Sequence, residues 1–265
     1  MRKIKFAWTV IKIFMKNQMQ NRSYILLDIF NMIARCLIVF LLYGYVFNLR
    51  DGNINGADYT TSLWSMFIYF CIMTFNVRKI HRLIMDDVKS GNVEMFLNKP
   101  VNYVWLSIYK IIGQGIYSFV LISTIGSILM IWFVGLPKIN LVIFLPTFII
   151  TLVLGLILGI VIYTIIGLLA FFIQDVRPVH WIVDKFIMVL GGSYLPVSLF
   201  PVVMKWLAFL SPFGAINFAT SVVYSSWNKE CVIRILLQVG WIIIFTILLI
   251  YVYNKSREKA MINGG

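Results

Sequence analysis

Four polar side chains, Tyr24, Asp28, Asn31 and Arg35, recur at helical spacing inside an otherwise apolar run, so on a helix they share one face. A charge near the middle of a membrane crossing costs ~2.5–3.5 kcal/mol on insertion scales, so Arg35 is expected to face protein or water and to be paired. Two roles fit the stripe. It is an internal ion pair that holds helices together, or it is the polar wall of a translocation path or of a dimer interface.

The second concentration of chemistry is the block at 78–103, RKIHRLIMDDVKSGNVEMFLNKPVNY, set between long runs that carry no charge. Such an insert can dock a partner. It can also be a solvated loop whose charges only enforce topology. His81 lies in this block and His180 in a separate loop; neither has a partner at metal-ligand spacing, and both read as solvated. Cys36, Cys71 and Cys231 show no C-x-x-C or His/Cys clustering, so neither a disulfide nor a metal site is expected.

Other chemistries are missing. Of the ten acidic residues, only Asp28 falls within an apolar run that could span. A proton- or sodium-driven transporter usually needs more intramembrane ionisable groups, and repeated broken helices at matching positions in its two halves. No G-x-x-x-x-G-K-[ST] phosphate loop, Ser/His constellation or soluble catalytic domain is visible. The chain is therefore expected to be no enzyme and to hold no cofactor. If it moves something uphill, another chain supplies the energy.

The elements that position these residues follow from composition. Of 265 residues, 61% are hydrophobic and 12% charged, whereas soluble domains carry ~25% charged residues. Charge-free runs cover 59–77, 111–137, 139–174, 186–204, 206–228 and 235–254, with 24–49 broken only by Asp28 and Arg35. Because ~20 apolar residues cross a bilayer, and open sheets leave backbone groups unpaired in lipid, an all-α integral membrane protein is expected.

Six transmembrane helices are favoured over seven by charge bias. With 206–228 not crossing, and both termini cytoplasmic, 17 of the 23 basic residues fall on the cytoplasmic side. Pro196, Pro201, Pro212, Gly191, Gly192 and Gly214 then break 191–228 into an outward-facing re-entrant hairpin before the last span. Residues 1–22 place Arg2, Lys5, Thr9, Lys12, Lys16 and Gln20 on one stripe, which reads as an interfacial amphipathic helix rather than a signal peptide. It is a plain anchor, or an elbow that packs against a partner.

The run 139–174 is longer than one bilayer thickness, so its helix is expected to begin near Pro146 and to project into the cytoplasm. Gly155 and Gly159, with Gly167 beyond them, read as helix packing. The net charge of +13 is explained by the cytoplasmic face and anionic membrane lipids, so no nucleic acid is expected.

Taken together, these elements resemble the permease subunit of an ABC-type exporter of the ABC type-2 transporter family. GNVEMFLNKPVNY at 91–103 is similar to the family's Gly-x-x-acidic…Leu-x-basic-Pro segment, which follows a helix ending in acids, here Asp86 and Asp87. GGSYLPVSLFPVVMKWLAFLSPFGAI at 191–216 resembles the family's Gly and Pro pattern ahead of its external helices. The likeness covers nearly the whole chain, as one transmembrane permease domain over 1–265.

The resemblance implies that Asp86, Asp87, Gly91, Asn92 and Glu94 lie on or near a coupling helix within a cytoplasmic block at 78–104, seated in a groove of a cytosolic ATPase. Pro100 would set the turn back into the membrane. It further implies a dimer with a second permease subunit, identical or homologous, and two copies of the ABC ATPase, which binds ATP and Mg. The expected setting is a bacterial plasma membrane, and the expected cargo an amphipathic or hydrophobic substrate. The alternative from another class is a non-enzymatic membrane scaffold or assembly subunit that docks a different cytosolic partner.

Overall fold

The structure is a computed structural model of the chain, and it describes residues 2–49, 53–54, 57–91, 103–137, 139, 141–173 and 175–263. Helix α1 (Arg2–Gln20) meets α2 (Arg22–Asn48) at a one-residue elbow, Asn21. A short antiparallel hairpin, β1 (Asn53–Ile54) with β2 (Ala57–Asp58), pairs Asn53 with Asp58 and leads into α3 (Tyr59–Met73). Next come α4 (Lys79–Lys89), α5 (Tyr103–Val134) and α6 (Leu141–Leu168). The chain ends with α7 (Arg177–Leu190), α8 (Val202–Leu210), the single turn α9 (Pro212–Ala215) and the 37-residue α10 (Trp227–Asn263).

Among the described residues, α2, α5, α6 and α10 are long and apolar enough to cross a membrane, whereas α3 is a shorter apolar helix of 15 residues. At 1.5 Å per residue, α2 is about 40 Å long, more than a hydrocarbon core requires. Apolar side chains along α2 and α10, such as Leu41 and Ile247, are exposed, as a lipid-facing surface should be. Helix α6 is the buried centre. Its middle, at Leu158 and Ile162, packs with Ile80 and Ile84 of α4, Val176, and Ile187 of α7.

The amphipathic first helix does not float free. Ile11 and Phe14 lie against Gly113 of α5, where an added Cβ would stand 2.6 Å from the Ile11 carbonyl oxygen. Lys110 of α5 sits over the Phe14 ring at 5.4 Å. The N-terminal elbow is thus fastened to its own chain.

Two sequence expectations are corrected. Helix α6 begins at Leu141, not near Pro146, and Pro146 lies inside it. A proline in the first two turns of a helix costs less than one at its centre, because few carbonyls precede it to lose a donor or meet its ring. The run 186–204, read as one crossing, is not one helix. Helix α7 ends at Gly191, and Gly192 takes φ +83, which an L side chain resists.

Beyond that break the chain folds into short pieces. A 3₁₀ helix, Phe218–Val223, is buried throughout, with Ala219 and Val223 packed against Ile68 and Ile72 of α3 and Leu152 of α6. Gly155 of α6 faces the Ile216 carbonyl, so a side chain there would collide with backbone. Nearby, the fully buried Gln238 of α10 donates to the carbonyls of Thr151, at 3.1 Å, and Ala215, at 2.8 Å. The irregular backbone is therefore packed on protein, which is the condition for tolerating it at membrane depth.

Candidate functional site

Helix α4 repeats its apolar residues at three and four: Leu83 and Ile84 follow Ile80 at i+3 and i+4, and Ile80, Ile84 and Met85 are buried with His81 beside them. Arg82, Asp86 and Lys89, at i, i+4 and i+7, are exposed on the opposite face. The buried face rests on Gly167 of α6, where an added Cβ would stand 2.9 Å from the Ile84 Cβ and 3.1 Å from the His81 Cα. The two helices approach closely there, with no room for a side chain at Gly167.

A polar cluster pins the start of α4. Arg78 Nη1 donates to Asp184 Oδ2 of α7 at 3.3 Å, and Tyr163 Oη of α6 donates to Asp184 Oδ1 at 2.8 Å. His81 Nδ1 pairs with the Arg78 carbonyl. The His81 and His180 rings stack with centroids 3.7 Å apart and planes 17° from parallel.

Burial pushes the His81 imidazole below its ordinary range, against the pull of the Arg78 carbonyl, and Arg82 lowers it further. A neutral ring stacks without repelling the neighbouring arginines. Just outside the cluster, Arg177 holds the Asp175 carboxyl down at about 2 through side-chain and backbone hydrogen bonds.

The sequence reading of two separate, solvated histidines is therefore corrected. His81 and His180 lie 99 positions apart, and only the packing of α4 on α6 and α7 brings them together. A signal was present: His180 and Asp184 stand at i and i+4, on one face of a helix.

The first-span stripe meets the expectation of a shared face. Tyr24, Asp28, Asn31 and Arg35 all line one cavity of about 470 Å³, open on one side, between α2, the end of α3, the start of α4 and α5. Lys79 Nζ donates to Tyr24 Oη at 2.8 Å, and Asn31 Nδ2 to the Leu27 carbonyl at 2.8 Å. Asp28 is partly buried near Lys79, Ser118 and Arg35.

Arg35 departs from expectation. Its guanidinium stands 5.9 Å from the Phe70 ring, and no carboxylate of the described residues comes within 4.0 Å of it. The nearest candidate, Asp28, is two helical turns away along α2, too far for a direct bridge.

Asp86 and Asp87 lie in the last turn of α4, and Gly91 follows it with φ +70. Asn92, Glu94 and Pro100 lie outside the described residues. One element joins the stripe to the described part of the second group, Asp86, Asp87 and Gly91. Lys79, in the first turn of α4, touches the cavity wall, its neighbour Arg78 ties α4 to α7, and the last turn carries the acids.

At the far end of the molecule, a second cavity of about 1060 Å³ is lined by Lys205, Trp206, Tyr224 and Arg234 among others. Here Arg234 is paired, with Nη2 2.6 Å from Glu230 Oε2, and its guanidinium lies 4.9 and 4.8 Å from the rings of Phe209 and Phe218.

A family model described as ABC-2 family transporter protein matches residues 29–264. No curated protein matches the chain.

Proposed function

The chain belongs to the ABC-2 family of transporter proteins, and from that membership we propose that it is the permease subunit of an ATP-driven exporter. It forms the path for an amphipathic or hydrophobic substrate. ATP and Mg are bound, and ATP is hydrolysed, on a separate cytosolic ABC ATPase. Two permeases, identical or homologous, work with two ATPases.

In this reading α2, α3, α5, α6, α10 and the segment led by α7 make six crossings. Helix α1 lies on the cytoplasmic leaflet of a bacterial plasma membrane, and 191–228 re-enters from the outside. Both termini and the block 78–104 face the cytoplasm. The support is the charge bias, since this arrangement puts 17 of 23 basic residues on the cytoplasmic side.

The observation that carries the proposal is the way α4 is held. One face is clamped by Gly167 and by the Arg78–Asp184 pair, and the other offers Arg82, Asp86 and Lys89 to the cytosol. A short helix locked to two membrane helices, and free on its outer side, can pass rigid-body movement inward where a loose loop would absorb it.

Affinity purification of the tagged chain from membranes into nanodiscs tests the assignment. An ATP-hydrolysing protein should co-purify in equal numbers, with hydrolysis that rises when the permease is added back. A chain that purifies without such a protein, or leaves its hydrolysis unchanged, would instead be a scaffold.

A further inference from the structure

The cavity of about 470 Å³ carries an unbalanced charge. Three cations line it, Arg35, Lys79 and Arg78, against one carboxylate, Asp28. Arg78 is committed to Asp184, and Lys79 donates to Tyr24. Among the described residues no carboxylate comes within 4.0 Å of Arg35, and its guanidinium lies 5.9 Å from the Phe70 ring. Arg234, by contrast, is bonded to a carboxylate.

A mid-span guanidinium without a counter-ion is costly unless it faces water or an anion, and this one faces an open polar cavity. Asn21, Gln114 and Ser118 add uncharged hydrogen-bonding groups to the same wall. Helix α2, which carries Arg35, also exposes Leu27, Phe30 and Ile38. An acyl chain could lie there while a headgroup reaches inward.

From this juxtaposition we infer that the cavity binds the phosphate headgroup of an anionic amphiphile, with Arg35 as its principal contact. The planar fork of arginine matches phosphate oxygens bidentately, which a lysine does less well. The inference rests on reading this cavity as part of the substrate path, and it names the class of that substrate.

The test uses the full-length permease alone, in phosphatidylcholine nanodiscs. Two photoactivatable probes with identical chains are compared: phosphatidic acid, with a phosphate headgroup, and diacylglycerol, without one. Phosphatidic acid should label peptides of α2 and α5 about tenfold more strongly than diacylglycerol, as expected for loss of one charge-assisted hydrogen bond. Arg35→Gln should remove that preference, Arg35→Lys should restore part of it, and Lys229→Gln, which changes net charge elsewhere, should leave it intact.

Equal labelling by the two probes overturns the inference. So does wild-type labelling of a well-folded Arg35→Gln protein. Should Arg35→Gln fail to fold, the Arg35→Lys protein and the wild-type probe comparison still decide. Displacement of phosphatidic acid by an equal concentration of inorganic phosphate would also overturn it, because a free anion would then suffice without the chains. No ATPase is present, so failure here leaves the partner assignment standing, and absence of an ATPase partner leaves any lipid binding measured here standing.

Discussion

Valine in place of Gly167 will lower permease-stimulated ATP hydrolysis about tenfold and reduce the melting temperature of the permease. The first Cβ atom alone would stand 2.9 Å from the Ile84 Cβ and 3.1 Å from the His81 backbone. Overpacking of this kind costs about 1–3 kcal/mol, and about 1.4 kcal/mol suffices for a tenfold change in an equilibrium. The strain has one easy outlet, which is to push α4 away from α6. The outer face of α4 then shifts relative to α6.

Gly159 is the control, since a Cβ there meets nothing closer than Val77 Cγ2 at 3.5 Å. Gly159→Ala should be neutral, or slightly stabilising by about 0.5–1 kcal/mol because alanine favours helix. Wild-type stimulation by Gly167→Val would show that the seating of α4 is not what couples the two parts.

Removing the carboxylate of Asp184 should be the most damaging single change in the polar cluster. It leaves Arg78 without its counter-ion and Tyr163 Oη without its acceptor. Breaking a buried pair costs about 3–5 kcal/mol, but the Arg78 side chain is 31% exposed, so screening reduces the expectation to about 2 kcal/mol. Asp184→Ala should therefore melt well below wild type.

Arg78→Met combined with Asp184→Leu should recover much of the loss, because no uncompensated charge remains. The cycle of single and double variants then reports the coupling between the two residues. If Asp184→Ala melts like wild type, the pair is not a structural pin.

What the sequence disclosed and what it hid divide along physical lines. The long apolar runs, the stripe of Tyr24, Asp28, Asn31 and Arg35, and the breakers after Leu190 are local patterns, and all can be read before folding. The start of α6 at Leu141 was misplaced because Pro146 reads as a helix start, whereas a proline in the second turn is tolerated inside a helix.

The His81–His180 stack and the three-helix bond to Asp184 are contacts between distant segments. Each histidine read alone as an ordinary polar side chain in a loop, and Tyr163 as one residue of a long apolar run. Arg35 shows the converse, since its position at mid-span is legible but its lack of a carboxylate partner depends on what α3 and α5 bring to the cavity.

The central claim is that the outer face of α4 is the surface on which a cytosolic ATPase acts. A photoreactive p-benzoylphenylalanine in place of Asp86 places the probe on that face, and the same residue in place of Thr124, exposed on the surface of α5, is the comparison. Irradiation of intact cells should join the permease covalently to an ATP-hydrolysing protein from position 86 and not from 124. A membrane-inserted permease that forms no such adduct from position 86, or forms it equally from 124, would contradict the account.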